Sequence, residues 1–200
     1  MYWYHTLRLL GVDDGYFPPW FKSKRGYTIL VGVVYNNGRL ESIMYDKVLV
    51  DGESTTELII SYAKQCCKVE ALILDGVTYA GFDVVDIFRI WRETGTPVIV
   101  VQQYKLDLGK IRRALERNFL DYERRFRIIE EAVKLMKPYR TMWKTILIAN
   151  LGLDNSSTID LLEKNMIYSP IPEPLRYAHQ IASAISKRIS YKLISGPAGI

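Results

Sequence analysis

Apolar residues along this chain recur with two periods, and the change from one to the other marks out the elements. His5–Val12 reads as a strand carrying Leu7, Leu9, Leu10 and Val12, and it stops at Asp13-Asp14-Gly15. Tyr27–Tyr35 (YTILVGVVY) is rich in β-branched residues, which suit a pleated, buried surface. Asn36-Asn37-Gly38 predicts a hairpin turn, because Asn-Gly accepts positive φ at low cost, and Leu40–Val50 is the returning strand. These three strands form an antiparallel meander. Helical spacing then begins: Leu58, Ile59, Tyr62 and Ala63 share a face, and Ser54 with Glu57 has capping-box spacing. Ala71–Val101 (ALILDGVTYAGFDVVDIFRIWRETGTPVIVV) follows as strand, polar loop, helix and strand, a βαβ unit with Asp75-Gly76 at the exit of its first strand.

The order β-β-β-α-β-α-β predicts a mixed five-stranded sheet, three antiparallel strands continuing into parallel ones, with helices on both faces. That is the ribonuclease-H-like arrangement. In it the first and fourth strands are neighbours, so the strand ends bearing Asp13 and Asp75 lie side by side. The rest is mostly helical. Periodicity predicts helices over Asp107–Asn118 and Asp121–Met136, a strand or buried helix at Met142–Ala149, and a helix capped by Ser157 with Asp160 at capping-box spacing. A last helix, Leu175–Ile189, carries the stripe Leu175, Ala178, Ile181, Ala182 and Ile185. The chain reads as one domain over 1–194, with a basic helical segment at 105–144 and a flexible tail at 195–200.

Composition narrows the function classes. Two hundred residues with 48% hydrophobic content can bury a core without staples. The net charge is +5, and the whole excess falls within Lys105–Lys144. That segment is either a basic face for an anionic partner or a solvated helical pair. The two cysteines, Cys66-Cys67, are adjacent, a spacing unsuited to zinc, and read as reduced helix residues of an intracellular, cytoplasmic protein. No apolar stretch reaches the roughly 20 residues that span a membrane.

Asp13, Asp51 and Asp75 each follow an apolar, strand-like run. They are either ordinary turn acids or a carboxylate cluster, and clustered carboxylates repel one another unless a cation holds them. Two-metal phosphodiesterases use such clusters to bind Mg²⁺, supply hydroxide and stabilise in-line displacement. The loop Tyr16–Arg25 (YFPPWFKSKR) adds Phe17, Trp20 and Phe21 for stacking and Lys22, Lys24 and Arg25 for phosphates, unless its aromatics pack back on the sheet.

Several of these motifs resemble those of a known family. Gly11-Val12-Asp13 resembles the first acidic motif of endonuclease V, Leu74-Asp75-Gly76 its strand-four motif, and PEPLRYAH (Pro172–His179) its carboxy-terminal motif. With GVDDGYF, VDGESTTE, LDGVTYAGFDVVDI and TGTPVIVV, the chain is similar over nearly its full length to a mostly archaeal family of unassigned function related to endonuclease V. The resemblance implies a Mg²⁺- or Mn²⁺-dependent phosphodiesterase acting on RNA or DNA, single-stranded or inosine-containing, that leaves a 3′-hydroxyl and a 5′-phosphate. It implies Asp13, Asp51, Asp75 and His179 as catalytic metal ligands, with Glu173 and Arg176 in support. Arg112, Arg113 and Arg176 join the loop cations as candidate nucleic-acid contacts. Two departures stand out. Val101-Gln102-Gln103 lacks the lysine that endonuclease V carries after its fifth strand, and the stretch before Asp51 lacks its strand-separating wedge, a role open to the loop Tyr16–Arg25. These leave two further readings, a nucleic-acid-binding module without catalysis and a phosphatase of small metabolites.

Overall fold

The meander and the βαβ unit form as the pattern predicts, and the computed structural model of the chain describes residues 7–24, 26–66 and 68–195. The chain runs through β1 (Arg8–Asp14), the short helix α1 (Phe21–Lys24), β2 (Tyr27–Asn36), β3 (Arg39–Leu49), α2 (Thr55–Gln65) and β4 (Ala71–Asp75). A small hairpin, β5 (Thr78–Tyr79) and β6 (Asp83–Val84), precedes α3 (Ile87–Thr94) and β7 (Val98–Gln102). Then come α4 (Leu108–Asn118), α5 (Tyr122–Leu135), β8 (Lys137–Arg140), β9 (Thr145–Leu151), α6 (Asn155–Asn165) and α7 (Glu173–Ser195). The main sheet has the order β3-β2-β1-β4-β7-β9-β8. Its first five members are the predicted sheet in the predicted order. Asn37 and Gly38 both take positive φ in the hairpin turn, as the Asn-Gly pair requires.

Two strands extend the sheet beyond the five expected. β9 adds antiparallel to β7, with Gln102 opposite Leu147, and β8 closes the edge. The helical segment therefore ends at Leu135, and Lys137–Arg140 is a strand. Its sequence, KPYR, is short, charged and carries a proline, which hides a strand signal but is what an edge strand tolerates. Two predicted caps also move. Ser54 makes no side-chain cap bond; the distant, fully buried Asp83 accepts from the Ser54 and Thr55 amides instead, at 3.0 and 3.2 Å. The cap of α6 is Asp154, which accepts from the Ser157 amide at 2.9 Å, while Asp160 pairs with Lys164. Of the tail at 195–200, only Ser195, the end of α7, lies among the described residues, and Cys67 lies outside them. The Cys66 sulfur is 3.9 Å from that of Met44.

Period-two alternation distributes the core over both faces. Leu10, Val12, Leu72, Leu74, Val98 and Val100 pack with α2, α3 and α5 on one face. Ala71, Ile73, Ile99 and Val101 meet α6 and Leu175 of α7 on the other, where Ile29, Val31 and Val33 pack on Ala178 and Ala182. Among the described residues, no helix is long and apolar enough to cross a membrane.

Candidate active site

Alternation also decides which acids meet. Asp13 follows Leu9 and Gly11 on the face covered by α7, and Asp75 follows Ala71 and Ile73 on that same face. β1 and β4 are parallel and in register through Val12 and Leu74, so Asp13 and Asp75 occupy the next step on strands about 4.8 Å apart. Both lie at the carboxyl edge of parallel strands, where open α/β sheets place their ligands. From α7, His179 Nδ1 stands 2.7 Å from Asp13 Oδ2. Asp13 is buried while the His179 side chain is 60% exposed, so the imidazole caps the acid from the solvent side. The hydrogen bond to Asp13 raises the His179 pKa.

Asp14 was not among the expected site residues, yet it belongs to the same charged group. One step along β1, it points to the opposite face, where its Oδ2 accepts from the Ala80 amide at 2.8 Å. Burial, then the charge of Asp13, push its pKa up to about 7. Asp75 is likewise pushed up to about 7, by burial and by Asp13, against the opposing pull of His179 and Lys144. The buried Tyr79 hydroxyl donates to the Val12 carbonyl at 3.1 Å and lies near all three acids, which with burial raise its own pKa. The signal for Asp14 was the Asp-Asp doublet at a strand end, since neighbouring strand residues face opposite sides.

Asp51 is tied to the backbone of the Ala80–Phe82 loop. It follows β3, two strands from β1, and adopts a left-handed φ of 60°. Its amide donates to the Ala80 carbonyl at 2.7 Å and its Oδ1 accepts from the Phe82 amide at 2.8 Å. Gly81 lies so close that a β-carbon there would fall 2.3 Å from Asp51 Oδ1. Asp14 and Asp51 thus grip the Ala80–Phe82 loop from its two ends, and the charges acting on Asp75 come from Asp13, His179 and Lys144. Beside this loop opens a cavity of about 730 Å³, lined by Lys22, Asp51, Phe82, Phe119, Leu120 and Arg125 among others.

The expected nucleic-acid contacts are placed unequally. Trp20 is half exposed, and Lys22 Nζ lies 5.9 Å from the centroid of the Phe82 ring. Arg25 and the Lys24 side chain lie outside the described residues. Arg113 is exposed on α4, whereas Arg112 pairs with Glu116 at 2.9 Å. Arg176 is engaged internally: it grips the buried Glu173 through two bonds of 2.7 and 2.6 Å and stacks on Tyr177. That pair fixes the start of α7. Lys144, just before β9, donates to Gln103 Oε1 at 2.8 Å and acts electrostatically on Asp75.

Hard carboxylate oxygens are the donors that Mg²⁺ or Mn²⁺ prefers, while burial, and after it the charge of Asp13, raises both Asp14 and Asp75. The side chains therefore fit a divalent cation in charge and chemistry. Among the described residues, no three such side chains are drawn into a closed ligand set.

The same charges set a pH dependence. Asp14 and Asp75 titrate near 7 in the fold but near 3.8 when unfolded, so their protonated forms favour the folded state. That stability is complete below pH 4 and is lost as the pH rises through about 7. His179, raised from 6.5, contributes in the same direction. The metal-free protein is expected to melt at lower temperature at pH 8 than at pH 5.5, each acid contributing up to about 1.4 kcal/mol per pH unit. Thermal melts in a chelator across that window test this; a flat or rising profile refutes it.

The sheet order, with acids at the ends of its first and fourth strands, is that of a ribonuclease-H-like fold, the class that includes endonuclease V. The human endonuclease V structure superposes with a TM-score of 0.62 over 94% of this chain and 87% of that one at 15% identity. A Ciona intestinalis endonuclease V, solved with DNA containing an inosine followed by a ribo-adenosine, gives 0.55 over 94% and 87% at 12% identity. Within this class the chain belongs to the endonuclease dU family, whose description its residues 5–186 match. A UPF0215 protein of Methanosarcina acetivorans is 39% identical over 184 residues, 90% of each chain. The crystal structure of a protein of unknown function from Archaeoglobus fulgidus, 33% identical, superposes with a TM-score of 0.76 over 89% of this chain and 97% of that one.

Proposed function

We propose that this protein is a divalent-metal-dependent phosphodiesterase that cuts nucleic acid at or near a deaminated base. The observation that carries the reading is the pairing of Asp13 and Asp75 at matching steps of neighbouring parallel strands, with Asp13 buried, Asp75 half-buried and His179 bonded to Asp13. Turn acids have no reason to be set side by side and partly desolvated at such cost. In this reading Asp13 and Asp75 hold Mg²⁺ or Mn²⁺, and His179 orients Asp13 and carries a proton at Nδ1. Asp14 and Asp51 fix the Ala80–Phe82 loop beside them. The cation supplies Lewis acidity toward water and toward the scissile phosphate. The family description, endonuclease dU, makes deoxyuridine the first base to assay, and the inosine-bearing DNA of the Ciona complex the second.

Purified protein is expected to nick oligonucleotides containing deoxyuridine or inosine when Mg²⁺ or Mn²⁺ is added, and to stop in chelator. Cleavage that persists in chelator, or no cleavage of any single- or double-stranded DNA or RNA in either ion, overturns the reading. A second reading, a binding module without catalysis, draws support from the engagement of Asp51 by Phe82 and the lack of a closed ligand set. It predicts a metal-independent, salt-sensitive mobility shift with intact substrate.

A further inference from the structure

The turn between β8 and β9 lies beside the acid pair, and nothing above assigns it a role. β9 runs antiparallel to β7, so its start faces the carboxyl edge where Asp75 lies. Lys144 occupies that start. Its ammonium is held by the Gln103 side chain and lies 4.5 Å from the centroid of the Tyr104 ring. Among the described residues no carboxylate is within ion-pair distance of it, and its charge acts on Asp75. The turn is pre-formed. The Thr141 hydroxyl oxygen accepts from the Trp143 and Lys144 amides at 3.2 and 3.0 Å, and the Thr141 amide and hydroxyl both donate to the Lys144 carbonyl.

That ordered turn presents large apolar groups to water. Met142 is 85% exposed, Tyr104 72% and Trp143 39%. Exposing three such side chains around one fixed cation is unfavourable for a surface that stays bare. An aromatic beside a cation is the pairing that single-stranded nucleic acid recruits, with bases stacking and phosphate meeting the charge.

We propose that Thr141–Lys144, with Tyr104, is a second contact surface for the substrate. Lys144 takes a phosphate next to the acid pair, and Trp143, Met142 and Tyr104 stack on unpaired bases on that side. The inference rests on the reading of the substrate as a nucleic acid. It puts the stacking surface on the β8–β9 turn, at the start of β9.

The test is equilibrium binding of fluorescent single-stranded oligonucleotides in chelator, where metal-dependent turnover is off, with Trp143→Ala, Trp143→Phe, Lys144→Ala and the wild type. Trp143→Ala is expected to weaken binding about tenfold, and Trp143→Phe to retain most of it. Lys144→Ala is expected to weaken binding and to lower the slope of log K against log salt by about one. Melting temperatures within about 2 °C of wild type show that the fold is intact; a variant that melts lower is replaced by Met142→Ala or Lys144→Gln, which make the same predictions. If the wild type binds and cleaves while folded variants bind equally well, this proposal fails and the proposed function stands. If the wild type binds no oligonucleotide in chelator but cleaves in Mg²⁺ or Mn²⁺, this proposal fails and the proposed function stands; if it neither binds nor cleaves, both fail.

Discussion

Asp75→Asn is expected to lower metal-dependent cleavage by about a thousandfold or more while making the metal-free protein more stable at pH 8. The two effects share one cause. Asp75 is half-buried at the end of β4 beside Asp13, and desolvation and that neighbouring charge push its pKa up to about 7. At pH 8 the fold must hold it ionised against burial and repulsion. Asparagine keeps the shape and removes the charge, so a cost on the order of 2–4 kcal/mol disappears. The same carboxylate is what a divalent cation binds, and loss of a group that works as part of a catalytic unit costs several orders of magnitude in rate. A structural acid would give the reverse pattern, lower stability and intact cleavage. The measurements are single-turnover cleavage in Mg²⁺ or Mn²⁺ and melting in chelator at pH 8. Unchanged cleavage would remove Asp75 from the site, and a lower melting temperature would remove the electrostatic argument.

The pH profile of stability gives this variant a second signature. In the wild type, stability falls as the pH rises through about 7, because Asp14, Asp75 and His179 all bind protons more tightly in the fold. Removing the Asp75 carboxyl removes its own titration and part of the repulsion that raises Asp14. The profile of Asp75→Asn is therefore flatter between pH 5.5 and 8.

Much of this site was legible in the sequence because its parts depend on local rules. Element order and the Asn-Gly turn fix the neighbours of β1, and alternation within β1 and β4 turns Asp13 and Asp75 to one face. PEPLRYAH marked the helix that brings His179 to Asp13. The parts that escaped depend on long-range contacts. Asp83 replaces Ser54 as the cap of α2 from about thirty positions away, and nothing in the Ser-x-x-Glu spacing reveals a competitor. Asp51 followed a strand as Asp13 and Asp75 did, but its strand lies two places from β1 and its carboxylate closes on the Phe82 amide. Lys144 reaches Asp75 only because β9 adds antiparallel to β7, a pairing that KPYR does not announce. Arg176 read as a surface cation in a motif, yet the buried Glu173 three positions earlier claims both arms of its guanidinium.

Gly11→Ala is expected to destabilise the protein by about 3 kcal/mol or more, lowering the melting temperature by roughly 6–12 °C. A β-carbon at Gly11 would fall 2.4 Å from the Pro174 carbonyl carbon, 2.5 Å from its oxygen and 2.7 Å from the Leu175 nitrogen. All three are backbone atoms, so no rotamer relieves the clash and α7 must lift from β1. Lifting it loosens Leu175 from one core cluster and Ala178 and Ala182 from another, and draws His179 away from Asp13. Gly15 repeats the arrangement one turn of contact later, where a β-carbon would fall 2.7 Å from the Ala182 carbonyl oxygen. The Gly-Val-Asp motif is thus one device, since Gly11 admits the helix and Asp13 receives its histidine. Gly109→Ala is the control. In the first turn of α4 an added β-carbon meets only ordinary contacts, at 3.4 and 3.5 Å, and the change is expected to stabilise by about 0.5–1 kcal/mol. If Gly11→Ala melts with the wild type, α7 is not held against β1 at this point, and the contact between His179 and Asp13 loses its structural basis.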